Sequence, residues 1–206
     1  MAATILSLDH KDPERSYAQC RSVIRSGGII AYPTDTFYGL GTDPRDPASV
    51  RRLFTIKRRR LEQPLLLLVS DIEEVEQWAA QVTRDARDLM DRYWPGPLTL
   101  VLQARAEVLP ELTAGTGTIG LRVPGNEDTR SLLRSIGTAL TGTSANRSGE
   151  PEPRTAGEVF ASLGGELDLI LDGGRANSER PSTIVDVSGS VPRIIRRGAI
   201  DLELSS

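Results

Sequence analysis

Apolar positions along this chain change period repeatedly, between the helical spacing of three to four and the short unbroken runs of strands. Asp12-Pro13-Glu14 is a helix-start signal with proline in the first turn; Tyr17, Cys20 and Ile24 then share one face, and Gly27-Gly28 ends the pattern. A strand is predicted over 29–32. Asp46-Pro47 repeats the start signal ahead of Val50, Leu53 and Phe54, in a helix that ends near a run of arginines. Leu65 to Val69 is continuously apolar, the mark of a strand covered on both faces. Two acidic amphipathic helices are expected over 72–81 and 84–93. Further strands are predicted at 98–103, 119–123, 139–143, 169–172, 183–187 and 193–196, with helices at 128–136 and 156–163. The alternation predicts an α/β fold: one domain over 1–206, with a twisted, open, mixed sheet and flanking helices.

Four segments rich in Gly, Ser and Thr adjoin predicted strands: P-T-D-T-F-Y-G-L-G-T-D from Pro33, T-A-G-T-G-T-I-G-L-R-V-P from Thr113, T-G-T-S-A-N-R-S-G from Thr141 and D-G-G-R-A-N-S-E-R-P-S-T from Asp172. Open α/β sheets bind ligands in crevices at strand ends, so the four are expected to line one polar, concave cavity. Singly, each also reads as a turn.

Composition removes several function classes. The 206 residues carry a formal charge of −3, with 25 basic and 28 acidic residues, which argues against a surface that is everywhere a glove for nucleic acid and leaves room for a local basic concavity. A lone cysteine, Cys20, on an apolar helix face reads as a small buried hydrophobe in a protein of the reducing cytoplasm. The N-terminus has no basic and apolar leader, and no run approaches a membrane span, so a soluble, unexported protein is expected. With His10 the one histidine and no His/Cys cluster, neither a histidine-based triad near the core nor a protein-held metal is supported. Neither G-x-x-x-x-G-K-[ST] nor a helix-opening G-x-G-x-x-G occurs.

Only two of the 25 basic residues are lysines, Lys11 and Lys57. A chain so tilted to arginine keeps a lysine where a compact ammonium is needed, as in gripping phosphate or carboxylate oxygens as a point charge. Lys57 equally fits a solvated basic helix end favoured by the macrodipole, and spacing alone leaves both readings open. An anion site here would combine Lys57, Arg59 and arginines from other loops.

The motifs then form an ordered series: G-G-I-I-A-Y-P-T-D-T-F-Y-G-L-G at 27–41, Lys57-x-Arg59 with Pro64-Leu65, W-P-G-P-L-T at 94–99, L-R-V-P at 121–124, T-S-A-N-x-S-G at 143–149, P-S-T-I-V-D at 181–186 and Arg196-x-Gly198. This series, spanning 27–198, resembles the YrdC/TsaC family, the threonylcarbamoyl-AMP synthases, in its short form. The resemblance implies a YrdC-like fold with a basic concave cavity and a nucleotidyltransferase activity. L-threonine, bicarbonate and ATP, with Mg2+, would give L-threonylcarbamoyl-AMP and pyrophosphate, for transfer of threonylcarbamoyl to tRNA adenosine by downstream tRNA threonylcarbamoyl transferase proteins.

By the same resemblance, Lys57 and Arg59 are assigned to ATP phosphates and the charge that develops on them, with Gln63 nearby. Ser144 and Asn146 are implied to touch threonine and nucleotide, and Thr118, Arg154 and Arg196 to touch the nucleotide. Thr34, Thr36, Arg122 and Ser182 are implied to hold L-threonine, Arg122 by its carboxylate, and Tyr38 to shape the pocket. Each has a plainer alternative: Arg122 could pair with a structural acid, Arg154 could be a solvated charge, and the hydroxyls could cap turns. Arg60 stands where the family commonly has proline, and Leu68 where some members have histidine, which bears on how the amino acid is recognised. A different class of function, an RNA-binding module without catalysis, predicts a broad basic surface and strong salt dependence.

Overall fold

The computed structural model describes residues 2–204. Its strands are β1 Thr4–Ser7, β2 Ile30–Tyr32, β3 Gly39–Gly41, β4 Leu66–Leu68, β5 Leu98–Gln103, β6 Thr118–Arg122, β7 Leu140–Ser144, β8 Leu169–Asp172, β9 Thr183–Asp186 and β10 Arg193–Arg196. They form one ten-stranded sheet in the order β1-β8-β2-β3-β7-β4-β6-β5-β9-β10. Pairing is mixed: β1–β8, β8–β2, β4–β6 and β5–β9 are parallel, and the remaining neighbours antiparallel.

The helices are α1 Pro13–Arg25, α2 Pro47–Lys57, α3 Arg84–Tyr93, α4 Pro110–Thr113, α5 Glu127–Ile136 and α6 Ala156–Leu163. Side-chain oxygens cap four of them: Asp46 accepts from the Ala48 amide, Thr83 from Ala86, Asn126 from Thr129 and Thr155 from Glu158. At α1 the Asp12 side chain makes no cap bond, and proline alone marks the start.

Strand periodicity sends alternate residues into two apolar layers. On one face α1 and α5 lay Tyr17, Cys20, Ile24, Leu132, Leu133 and Ile136 over Ile30, Tyr32, Leu140, Leu169 and Leu171. On the other, α2, α3 and α6 bring Leu53, Phe54, Met90 and Val159 against Ala31, Leu67, Leu100, Leu121 and Ile170. Cys20 is fully buried, and burial pushes its thiol up to about 12, so it is inert packing.

The helix expected over 72–81 is instead a short 3-10 turn, Glu73–Gln77. Its acids are diverted to local backbone donors: Glu74 accepts from the Ser70 amide and Asp71 from the Glu74 amide. The chain then turns strand-like, with Ala79 bridging Ala104 and the Ala80 amide donating to the Gln103 carbonyl. Two strands escaped the sequence pattern. β1 is a sheet edge held by β8, far away in sequence, and β3 lies inside the first glycine-rich segment, where G-L-G has no strand propensity. No helix among the described residues is long and apolar enough to cross a membrane.

Candidate active site

The face that α1 and α5 cover is covered only in part. Beyond them, side chains pointing the same way from β7, β4, β6, β5 and β9, a mixture of polar, small and aliphatic residues, form the floor of a cleft. Leu66 and Leu68, Thr99 and Val101, Thr118, Gly120 and Arg122, Gly142 and Ser144 all line it at the strand period of two. Their neighbours Leu65, Leu67, Leu98, Leu100, Ile119 and Leu121 belong to the core on the opposite face. The cavity therefore lies across the sheet, whereas the sequence suggested a crevice at strand ends. The four polar segments contribute to its rim and to its floor. It encloses about 240 Å³, a little below the roughly 300–1,000 Å³ common for small-molecule sites.

Of the residues singled out from the sequence, Thr34, Thr36, Tyr38, Arg59, Thr118, Arg122, Ser144, Ser182 and Arg196 line this cleft. Lys57, Gln63, Asn146 and Arg154 do not. Gln63 is exposed, and Arg154 is tied to the loop after β8, donating to the Ala176 and Asn177 carbonyls.

Lys57 is neither a solvated helix end nor a free phosphate hook. It is 2% exposed, and its ammonium donates to the Ser144 carbonyl at 2.5 Å, the Asn146 carbonyl at 2.7 Å and Asn146 Oδ1 at 3.3 Å. All three donors are thus spent on the S-x-N loop. Ser144 Oγ donates to Asn146 Oδ1 at 2.6 Å, and Asn146 Nδ2 to the Glu150 carbonyl at 2.5 Å, which closes the network. Burial pulls the Lys57 pKa down to about 7; the Arg59 charge acts the same way and Glu152 opposes it.

Arg59 follows Arg58, a left-handed C-cap with φ 50° that turns the chain out of α2. Its Nε and Nη2 donate to the Gln63 and Pro64 carbonyls at 3.3 and 2.9 Å, and burial lowers its pKa. Arg196 reaches the cleft from the edge strand β10 and donates to the Ser182 carbonyl and, at 3.2 Å, to Ser182 Oγ. Gly198 allows this closeness, because a Cβ there would lie 2.2 Å from the Pro181 carbonyl oxygen. Ser182 Oγ also shares a proton with Thr99 Oγ1 at 2.9 Å.

Arg122 is the most buried of the cations that line the cleft, at 4% exposure. Its Nε donates to the Gly96 carbonyl at 3.0 Å, Nη1 to Thr36 Oγ1 at 3.3 Å and Nη2 to Asp35 Oδ1 at 2.5 Å. Thr36 Oγ1 in turn lies 3.0 Å from Thr34 Oγ1, which donates to the Phe37 carbonyl.

The sequence reading passed over Thr99, Glu152 and Asp35. The signal for Thr99 was available in the alternation of small or polar residues with apolar ones along β5. Among the described residues Glu152 is the one carboxylate on the cavity wall, and its charge partly offsets the burial that lowers the pKa of both Lys57 and Arg196. Among the described residues no group of three or more His, Cys, Asp or Glu side chains could hold a metal ion.

Comparison with known proteins places these residues in context. The Sua5/YciO/YrdC family model, described as telomere recombination, matches residues 22–198. A threonylcarbamoyl-AMP synthase of Pyrococcus abyssi is 36% identical over 181 residues, 87% of this chain and 53% of the relative. The chain spans about half the length of that relative. A threonylcarbamoyl-AMP synthase of Thiobacillus denitrificans is 39% identical over 165 residues, 80% of this chain and 87% of the relative. The crystal structure of P. abyssi Sua5 complexed with L-threonine superimposes with a TM-score of 0.92 at 33% identity, covering 95% of this chain and 58% of the other.

Proposed function

We propose an activity from one premise: the chain belongs to the Sua5/YciO/YrdC family. The activity is that of an L-threonylcarbamoyladenylate synthase, forming threonylcarbamoyl-AMP and pyrophosphate from L-threonine, bicarbonate and ATP. The observation that carries this reading is one cleft that gathers Arg59, Arg196, Thr118 and Ser144 beside a hydroxyl-lined pocket of Thr34, Thr36, Arg122 and Ser182.

Two steps must share the site. The threonine amine attacks the bicarbonate carbon, losing a proton and expelling water, to give the carbamate. A carbamate oxygen then attacks the α-phosphorus, and pyrophosphate leaves. For the first step, Arg122 has five N–H groups, of which three are spent on protein oxygens. One remains on each terminal nitrogen, which suits a two-point grip on the substrate carboxylate. The Thr36 and Ser182 hydroxyls can bond the threonine side chain or amine without adding charge.

For the second step, negative charge grows on the α-phosphoryl oxygens and on the leaving pyrophosphate. Arg59 and Arg196 keep N–H groups toward the cleft while their other donors fix them to backbone carbonyls, so little reorganisation is needed as charge develops. Lys57 contributes by holding Ser144 and Asn146 in place. Magnesium, when it arrives on the nucleotide, would neutralise phosphate charge, with Glu152 as the wall's available carboxylate ligand, an arrangement usual for this ion.

The product passes, on this reading, to tRNA threonylcarbamoyl transferase proteins. The test is incubation with ATP, L-threonine, bicarbonate and magnesium, with assay of pyrophosphate and of the adenylate by mass spectrometry. Pyrophosphate release that does not depend on threonine and bicarbonate would remove the proposal.

A further inference from the structure

Arg122 sits in the cleft wall with almost no exposure. A guanidinium buried that far needs a counter-charge and fixed hydrogen bonds, or its desolvation is not offset. Both come from outside the cleft lining. The counter-charge is Asp35, in the loop after β2, at 2.5 Å, and the Gly96 carbonyl takes Nε at 3.0 Å. Asp35 does not line the cavity, so it meets ligand only through Arg122.

Two further features mark Asp35. Its second oxygen, Oδ2, is buried with no hydrogen-bond partner. An unsatisfied buried polar group is costly, and more so when charged. Asparagine would present an acceptor to Arg122 that carries no charge, so what the aspartate adds is the charge itself. The second is Gly125, exposed in the loop after β6. A Cβ there would lie 3.0 Å from Asp35 Oδ2, 3.2 Å from its Cγ and 3.4 Å from its Cβ. The backbone at Gly125 is outside the left-handed region, and alanine would be conformationally acceptable. What alanine would do there is press on Asp35.

We infer that Asp35 is a positioning residue for the amino-acid half of the reaction: it locks the Arg122 guanidinium with its two spare N–H groups toward the substrate carboxylate, and Gly125 leaves it room. This rests on the proposed function, in which Arg122 receives that carboxylate. The device is a lever behind the cation. Arg59 and Arg196 hang on other carbonyls and do not depend on it.

Asp35→Asn and Gly125→Ala test it from opposite sides of one contact, so misfolding of one leaves the other. Each is compared with wild type for the KM of L-threonine, the KM of ATP, and L-threonine binding by calorimetry, which needs no turnover. Both variants are expected to raise the threonine KM and weaken threonine binding about tenfold or more, the scale of losing one well-aligned charge-assisted hydrogen bond. The ATP KM should stay where it is. A merely structural role would move both KM values together, and that result overturns the inference. So does unchanged threonine binding in both variants, and so does tighter binding, which would make Asp35 a competitor for Arg122. Wild type that binds L-threonine and forms no adenylate would remove the proposed function while the binding comparison still decides the inference; wild type that binds no L-threonine overturns both.

Discussion

Replacing Lys57 with methionine keeps most of the side-chain volume and removes the ammonium. Two opposed effects follow. The Ser144 and Asn146 carbonyls lose their donor at 2.5 and 2.7 Å, and each buried acceptor left unsatisfied costs about 1–3 kcal/mol. Against that, the protein no longer buries a charge whose pKa has fallen from 10.5 to about 7, a shift worth at most about 5 kcal/mol. Stability near neutral pH should therefore change by less than the loss of three hydrogen bonds suggests. Synthase activity should fall steeply, because Ser144 and Asn146 lose their common anchor. The discriminating readout is pH. The folded value lies below the unfolded one, so between them the unfolded chain holds a proton that the folded chain has shed. Raising pH through that window favours the folded state; below about 7 the burial penalty is fully present. From about pH 7 to pH 9 the stability of wild type relative to Lys57→Met should grow by about 2 kcal/mol. Urea unfolding of both proteins across that range measures it. Parallel curves would mean that the lysine is charged or neutral alike in both states, and would refute the account of its burial.

Lys57→Arg should lose most activity although the charge is kept, since a planar fork cannot make three point contacts in the space of an ammonium; turnover near wild type would reduce Lys57 to a generic cation. Asn146→Ala should keep its circular dichroism spectrum and any weak RNA affinity and lose adenylate formation, whereas surviving activity with collapsed RNA binding would favour the binding-module reading. L-threonine should bind more tightly than L-valine by about 1–3 kcal/mol, the cost of leaving a buried hydroxyl partner unpaired, with L-serine between them; calorimetry showing valine and threonine equal would mean that the hydroxyls of Thr36 and Ser182 do not read the substrate.

Much of the fold was legible because its signals are local. The proline-marked starts of α1 and α2 and the apolar runs of β4, β5 and β8 need nothing beyond a few neighbouring residues. β3 and the 3-10 turn were not legible, because a distant strand pairs with G-L-G and local backbone donors engage Asp71 and Glu74. The site divides in the same way. Motif order pointed to Arg59, Ser144 and Arg196, which the structure brings to one cleft. The geometry of Lys57 could not be read from a sequence, since its three acceptors lie in a loop nearly ninety residues on. Asp35 stood in plain view between two threonines, but its importance depends on where β6 delivers Arg122.

Strands that carry the core on one side and the cleft on the other set two independent rulebooks within one stretch of chain. Leu67 answers to one apolar layer, while Leu66 and Leu68 on either side of it face the cleft and also pack into the layer of α1 and α5. A library confined to Val101 and Ile184 would reshape the cavity while the core layers keep the protein folded, a separation that loop-built sites do not offer. The amides of those floor strands are tied into the sheet ladder, so occupancy should leave their hydrogen exchange nearly unchanged and slow it instead in the rim segments 33–38 and 145–154. Selectivity in this protein can drift by substitutions at those two positions with little toll on stability.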